Sequence, residues 1–591
     1  MNADGAGPAT VEVIRNYLTS AATEMQRTLV RTAYNTIIYE IFDFGISIYD
    51  ADRRLVADSP GLALFLGAND AGLENGVEHV GEENLDPGDV VLLNYPYRSK
   101  AHTLDVLMFA PVFDDQETEL IGYTTCRAHW LDLGAKDSGY VLDSTDVHQE
   151  GLIFPGTKVY KGGHPNEEIF DLIRYNSRIP DKVIGDLNAQ IAALRTGQDR
   201  IKDLYKKYGA DVVDEAIDEI LDHGERTARE AVRELPDGEW HANGYADAAG
   251  ADIDRIEIMA DVIIDGEEFT VDLSRSEDQL DRPFNSTDGE TLGKLCFKTV
   301  TTPEEDSNHG LYEPLEVRTR EGSIFEPTYP APTFVGWMGI VGIDVIYKAL
   351  AKGMPDQIPA SSGGDLCDVM FYGQSPDTGR HFVEANNEGV GWGATPDHDG
   401  ANALMHISET MVRNIPIEVL ERKAPVEFDR LKLRQDSGGA GERRGGLGIR
   451  RDFRVTNPVG ALSIIQNTRT DGWGLAGGHP GVKNAVLLQH LDDDWTDRIE
   501  VFTDNSDLYD AEDDERWVGM MRGEFQPGEV ISNRSGGGGG YGDPSDRGPE
   551  KVREDVLDEY ISRKAAREEY GVVLTEPDRI DHEETARLRN Q

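Results

Sequence analysis

"SKAHTLDVLMFAPVFDDQETELIGYTTCRAHWLDLGAKDSG" (residues 99–139) carries the pattern H-x-x-D twice, as His102/Asp105 and His129/Asp132. Between the copies, "LDVLMFAPVF" and "ELIGYTTCR" are apolar, strand-forming runs joined by the polar "DDQET", the pattern of a β-hairpin. A turn centred near Gln116 makes paired residue numbers sum to about 232. Asp105 is then expected opposite Arg127 and His129 opposite Thr103, with a slip of one or two positions allowed. In any of these registers His102, Asp105 and His129 end at the open end of the hairpin, where cross-strand neighbours are ~5 Å apart. Two imidazoles and a carboxylate form a ligand set for a divalent transition metal with open coordination positions, such as Zn, Mn or Fe. Asp132 would be a fourth ligand or a group that orients an imidazole. The alternative is that both histidines cap strand ends and bond to backbone.

Around this hairpin, helical and strand patterns come in separate blocks. Residues 9–34 place Val13, Ile14, Leu18, Ala21, Met25, Leu29 and Val30 at helical spacing, with Thr10 as the expected cap. "FGISIYDADRRLVAD" reads as a strand pair, and residues 181–235 as two long helices with acidic outer faces. Short alternating strands follow to about residue 275, then a loop-and-helix region to 420, then strands around glycine-rich turns. "EKVREDVLDEYISRKAAREEYGVVL" is expected as one amphipathic helix, and the last residues as frayed. This block order predicts an α+β fold, multi-lobed, with mixed and antiparallel sheets and long helices. Expected domains are residues 1–235 (α+β, with the candidate metal hairpin), 236–424 (α+β) and 425–591 (β-rich, ending in a helix).

The 591 residues carry a formal net charge of -52, from 58 Lys+Arg and 110 Asp+Glu. Phosphate backbones and anionic membrane surfaces are recognised by basic patches, so nucleic acid and membrane partners are excluded. The acid is spread along globular-looking sequence, which suits a protein kept soluble in high salt and points to a halophilic host. Three widely spaced cysteines, Cys126, Cys296 and Cys367, support neither a disulfide scaffold nor a Cys-type zinc site. Without a signal-peptide pattern or a long apolar run, a cytoplasmic location is expected.

No G-x-x-x-x-G-K-[ST] or G-x-S-x-G order occurs, which removes support for a P-loop and for a serine-hydrolase elbow. "LRQDSGGAGERRGGLG" (residues 433–448) reads as tight turns, and the five-glycine run at 536–540 as a connector or a close backbone approach to a ligand. Asp397, His398 and Asp399 share a glycine-rich loop, read as an exposed acidic turn or a second metal or substrate loop. Arg31, Glu40 and Asp43 follow the first helix in an apolar setting, where charged groups pair or face a site.

"SAATEMQRTLVRTAYNTIIYEIFDFG", "DPGDVVLLNYPY", "HTLDVLMFAPVF", "STDVHQEGLIFPGTKVYKGG", "LRQDSGGAGERRGGLGIRRDF" and "GGGGGYGDPSDRGPEKVREDV" occur in this order. Together they resemble the hydantoinase B/oxoprolinase family, over residues 9–574. The resemblance implies the B-type subunit of an ATP-dependent hydantoinase or 5-oxoprolinase. There an A-type partner would bind ATP and phosphorylate a small cyclic amide, and the B-type chain would open the ring within a hetero-oligomer. It also implies a divalent metal, Mn or Zn, on His102, Asp105 and His129. Asp132 is then the orienting group or base, and Arg31, Glu40 and Asn94 wall the substrate site. Two alternatives are a subunit of an ATP-dependent acetone or acetophenone carboxylase and a non-catalytic scaffold for the ATP-binding subunit. The run "NYPYRSKAH" departs from the family's N-D-P-Y-x-G-G-T-H: Tyr95 replaces the aspartate, and Ser99 and Lys100 replace the glycines. Phe65 also stands where a histidine is common.

Overall fold

The computed structural model describes residues 6–59, 61–247, 255–576 and 578–590. The chain forms two compact units. The first comprises residues 1–239, 260–339 and 408–413; the second comprises 240–259, 340–407 and 414–591. Both mix helices and sheets, and the fold is α+β.

The first unit is built on an antiparallel sheet of seven strands in the order β2-β1-β5-β4-β3-β6-β7. The strands are β1 (Phe44–Tyr49), β2 (Leu55–Ser59), β3 (Val90–Leu93), β4 (Asp105–Phe113), β5 (Leu120–His129), β6 (Pro155–Lys161) and β7 (His164–Pro165). The expected hairpin is β4–β5 at the centre of the sheet, buried along almost its whole length. A strand covered on both faces is apolar at successive positions, which is why "LDVLMFAPVF" shows little alternation.

One face carries α1 (Pro8–Thr32), with the next long helix, Pro180–Tyr208, packed beside it. Gln190 of that second helix donates to the Val106 and Cys126 carbonyls and accepts from Trp130 Nε1. The helix Phe65–Val80 covers the other face, packing Leu73 and Val77 with Tyr49, Val91, Phe109 and Tyr123. Side chains alternate across a strand, so Asp105, Leu107 and Phe109 share that second face with Arg127 and His129.

The hairpin register differs from the expected one. Asp105 pairs with His129, not with Arg127, and pairing continues in step to Val112↔Gly122. Two local features cause the shift. The turn closes from the Asp114 N–H to the Glu119 carbonyl, with the Asp114 carboxylate accepting from the Thr118 and Glu119 N–H groups. Between Phe113↔Leu120 and Val112↔Gly122 a bulge then inserts one extra residue in β5.

Gly7 with Pro8, not Thr10, starts α1. The two long helices are Pro180–Tyr208 and Ala210–Arg233, as expected. The first unit also holds a mixed arrangement in which Glu268–Asp272 pairs antiparallel with residues 261–265 and parallel with Leu315–Arg318.

The second unit holds two antiparallel five-stranded sheets and a core made of backbone. Residues 536–540 are not a connector. The N–H groups of Gly537, Gly538, Gly539 and Gly540 donate to the carbonyls of Val482, Gly446, Ser361 and His479. The carbonyls of Gly536, Gly538, Gly539 and Gly540 accept from Gly391, Gly439, Ala394 and Leu475. One glycine segment is thus bonded to neighbours on all sides, including the run 433–448. A Cβ on Gly538 would run into the Trp392 carbonyl, and one on Gly537 into the Ser437 carbonyl.

The C-terminal amphipathic stretch is two helices, Pro549–Leu557 and Arg563–Glu568, broken where Glu559 takes φ 58° and Ser562 caps the second. Residues 578–590 are not frayed. His582–Arg589 is a helix capped by Asp581, and Arg589 donates to the Tyr570 and Arg547 carbonyls. All three cysteines are free thiols and buried. Among the described residues no helix is long and apolar enough to cross a membrane.

Candidate metal centre

His102 stands just before β4, and its carbonyl accepts from the Asp105 N–H while Nδ1 accepts from the Leu104 N–H. Its other ring nitrogen, Nε2, lies 3.2 Å from Asp105 Oδ2. Across the hairpin, His129 Nδ1 lies 3.0 Å from Asp105 Oδ1. The donor atoms of His102, Asp105 and His129 all fall within 4.8 Å of one another, and the last two residues are buried. Metal–ligand bonds of ~2.0–2.2 Å put neighbouring donors of one ion ~2.8–3.6 Å apart, and each imidazole lies within that range of one Asp105 oxygen, His102 of Oδ2 and His129 of Oδ1.

Burial sets the protonation of this group. It pushes His102 down to about 4, leaving a neutral imidazole with a lone pair to give. Asp105 is opposed by the same burial, yet His102, His129 and Arg127 hold its carboxyl below the usual range. Arg127 is fully buried beneath the site. It donates to Asn69 Oδ1 and to the Ala68 and Ser99 carbonyls, and its guanidinium lies over the Phe65 ring. Phe65 therefore packs against the arginine that supports Asp105.

The structure brings a further carboxyl to the cluster. Asp43 follows the π-helical turn Ile37–Ile41 and a left-handed Phe42. Its Oδ2 lies 4.0 Å from His129 Nδ1, and its Oδ1 is buried without a hydrogen-bond partner among the described residues. Burial raises its pKa from the usual carboxylate range. Tyr140 packs against both imidazoles, with centroids 5.6 and 5.9 Å away, and Phe334 against His102 at 6.2 Å. Glu150 seats Phe334 by accepting from the Thr333 and Phe334 N–H groups and from Ser144 Oγ.

The other expected site residues do not join this group. Asp132 is buried and fully engaged: it accepts from Ser177 Oγ, the Arg178 N–H and guanidinium, and the Gly134 N–H. Those bonds clamp the loop after β5, and Asp132 is not among the three clustered donors. Asn94 is also spent on structure, donating to the Thr103 and Leu152 carbonyls and accepting from the Phe154 N–H. Arg31 is exposed at the end of α1, and Glu40 is half-buried on the π-helical turn. Asp399 is an ion-pair anchor for Arg547, 2.7 Å away. Asp43 is legible in the sequence as a charge in an apolar run. Phe334 and Glu150 give no such signal, because their roles depend on segments far apart in the chain.

The fold and its His-Asp-His group define an α+β protein with a candidate metal site on a sheet-centre hairpin. The chain belongs to the hydantoinase B/oxoprolinase family, whose model matches residues 7–544. A Pseudomonas sp. (strain NS671) protein assigned as the B-type subunit of a D-/L-hydantoinase is 32% identical, with 98% of each chain covered. The beta chain of the Pseudomonas jessenii caprolactamase is 30% identical, again over 98% of each. The crystal structure of the ATP-dependent caprolactamase from that organism superposes with TM-score 0.87 at 26% identity, covering 100% of both chains. A nucleotide-free acetone carboxylase structure shares the fold, with TM-score 0.88 at 19% identity over 98% of this chain and 82% of that one.

Proposed function

We propose that this chain is the B-type subunit of an ATP-dependent cyclic amidohydrolase. It would open a ring amide that an ATP-binding A-type subunit has phosphorylated. Two relatives matched along 98% of their length are named as hydantoinase and caprolactamase subunits, and both names denote cyclic amides. The observation that carries the reading is the meeting of His102, Asp105 and His129 at one strand end.

These three residues would hold a divalent ion, Mn or Zn. When bound, such an ion supplies Lewis acidity toward an oxygen and lowers the pKa of water. The chain's own groups prepare the site. Burial keeps His102 in the neutral, electron-donating form, and the two imidazoles with Arg127 keep Asp105 ionised. Tyr140 and Phe334 exclude water from one side of the cluster, which strengthens electrostatic interactions inside it. Asp43, held toward its protonated form, is positioned to keep a proton on its carboxyl beside His129.

The test is purification with the A-type partner, elemental analysis, and ATP-dependent turnover of hydantoins and lactams. About one divalent ion per chain is expected, lost together with turnover in His129→Ala. Turnover strictly dependent on bicarbonate and a ketone would overturn the amidohydrolase reading in favour of a carboxylase. A metal-free complex whose His129→Ala variant keeps full turnover would leave this chain a scaffold.

A further inference from the structure

A cleft of ≈ 480 Å³ in the first unit is lined by Lys100, Thr287, Asp288, Gly289 and Thr291, none of them among the three candidate ligands. Its floor is the start of the 13-residue helix Gly289–Thr301, where Asp288 makes no side-chain capping bond. The Asp288 carbonyl is used by the Thr291 and Leu292 N–H groups, while the N–H groups of Gly289 and Glu290 have no backbone acceptor among the described residues. A helix start left in this state carries partial positive charge and open donors. Thr287 is 6% exposed, and its hydroxyl is buried without a hydrogen-bond partner among the described residues. A buried hydroxyl in that state is costly unless something fills its bond.

Lys100 supplies a cation. It sits at φ 56°, ψ 37°, a left-handed conformation that side-chain-bearing residues rarely adopt, two positions before His102. It enters no ion pair among the described residues, although its charge reaches Asp288. The other acidic groups lining the cleft are paired, most of them with Lys294, His309 or Thr319 of the same lining. Asp70 and Glu290 hold Lys294 at 3.1 and 2.9 Å, Glu313 holds His309 at 3.2 Å, and Glu316 holds Arg318 at 2.6 Å. Glu326 accepts from the Thr319 hydroxyl at 2.7 Å. Asp288 accepts from Ser286 Oγ and is the carboxylate that opposes an incoming anion. Its charge also interacts with that of Asp105, so the cleft is within electrostatic range of the His-Asp-His cluster.

We propose that this cleft is an oxyanion subsite. Lys100, the Thr287 hydroxyl and the first-turn N–H groups of the helix Gly289–Thr301 would hold a phosphate or carboxylate group there. The role of the subsite rests on the function proposed above: the oxyanion is the phosphoryl group of the activated amide, or a carboxylate carried by the substrate ring.

The probes are orthophosphate and acetate, titrated calorimetrically into the full-length protein at low chloride, with and without prior metal removal. Orthophosphate is expected to bind. Lys100→Ala and Thr287→Val should each weaken it about tenfold, Lys100→Arg should restore most of the loss, and Asp288→Asn should tighten it. Acetate binding as tightly as orthophosphate would point to a ring carboxylate; orthophosphate alone would point to the phosphoryl group. No binding of either probe, or binding indifferent to Lys100→Ala and Thr287→Val, overturns the subsite. Binding lost on metal removal or in His102→Ala but kept in Lys100→Ala places the anion on the metal, ending this proposal and leaving the function intact. Lys100-dependent binding in a protein that holds no metal does the reverse.

Discussion

The open end of the β4–β5 hairpin and the glycine segment 536–540 both look like possible sites in the sequence, and the structure separates them by how their polar groups are satisfied. At the hairpin end, two imidazoles and a carboxylate crowd together at 3.0 and 3.2 Å, with a buried Asp43 oxygen nearby that has no partner among the described residues. In the glycine segment, main-chain donors and acceptors find partners in surrounding segments, and the space a side chain would need is filled by carbonyls. Buried groups with bonding capacity to spare invite a ligand; buried groups already satisfied hold a fold together.

The largest effect should come from breaking the glycine core. Gly538→Val would drive a branched side chain into the Trp392 carbonyl, where only backbone could yield. Destabilisation above about 3 kcal/mol is expected, read as a collapse of the thermal midpoint or loss of folded protein. A midpoint within a few degrees of wild type would show that this segment is looser than its hydrogen bonding implies.

Next comes a paired test of the two H-x-x-D copies. Asp105→Asn should lower metal affinity at least about tenfold while the protein stays folded. Asp132→Asn should do the opposite, leaving metal content unchanged and costing about 2 kcal/mol. The figure is modest because Arg178, its partner at 2.7 Å, is 31% exposed and can rehydrate. Loss of metal in Asp132→Asn would return that residue to the site.

The smallest effect concerns pH. Asp105 and Asp186 are both buried aspartates, but their shifts are opposite. Asp186 accepts from the Tyr34 and Asn35 N–H groups, and burial pushes it up from 3.8 to about 7. A raised folded-state pKa gives stability that is complete below the unfolded value and is lost as pH rises through the folded one. Asp186→Asn should therefore flatten part of the decline in stability between pH 4 and 7, measured by denaturant melts across that range. An unchanged slope would mean that the backbone N–H groups keep Asp186 ionised.

Much of the fold and site is legible in the sequence because it is local. The hairpin, α1 and the two long helices follow from periodicity, and the His-Asp-His group follows from placing two motifs at the ends of paired strands. The register is not legible, because a bulge near Phe113 and a turn capped by Asp114 cannot be counted from strand propensities. Asp132 misleads because its partners, Ser177 and Arg178, lie more than forty residues away. The glycine run reads as a connector or ligand approach because glycine signals freedom in isolation, and only neighbouring segments turn it into a hydrogen-bonded core. Asp43 shows the middle case: its charge stands out, but nothing in the sequence chooses it over Arg31 and Glu40.

The burial of every native thiol has a practical consequence. Cys126, Cys296 and Cys367 are enclosed, and burial pushes the Cys126 thiol well above its ordinary range, away from the reactive thiolate. A cysteine introduced at an exposed position would then be the one fast-reacting handle on the folded chain. Tyr175, 81% exposed on the helix Glu167–Asn176, offers such a position. A fluorophore there would give a direct readout for the assembly proposed above.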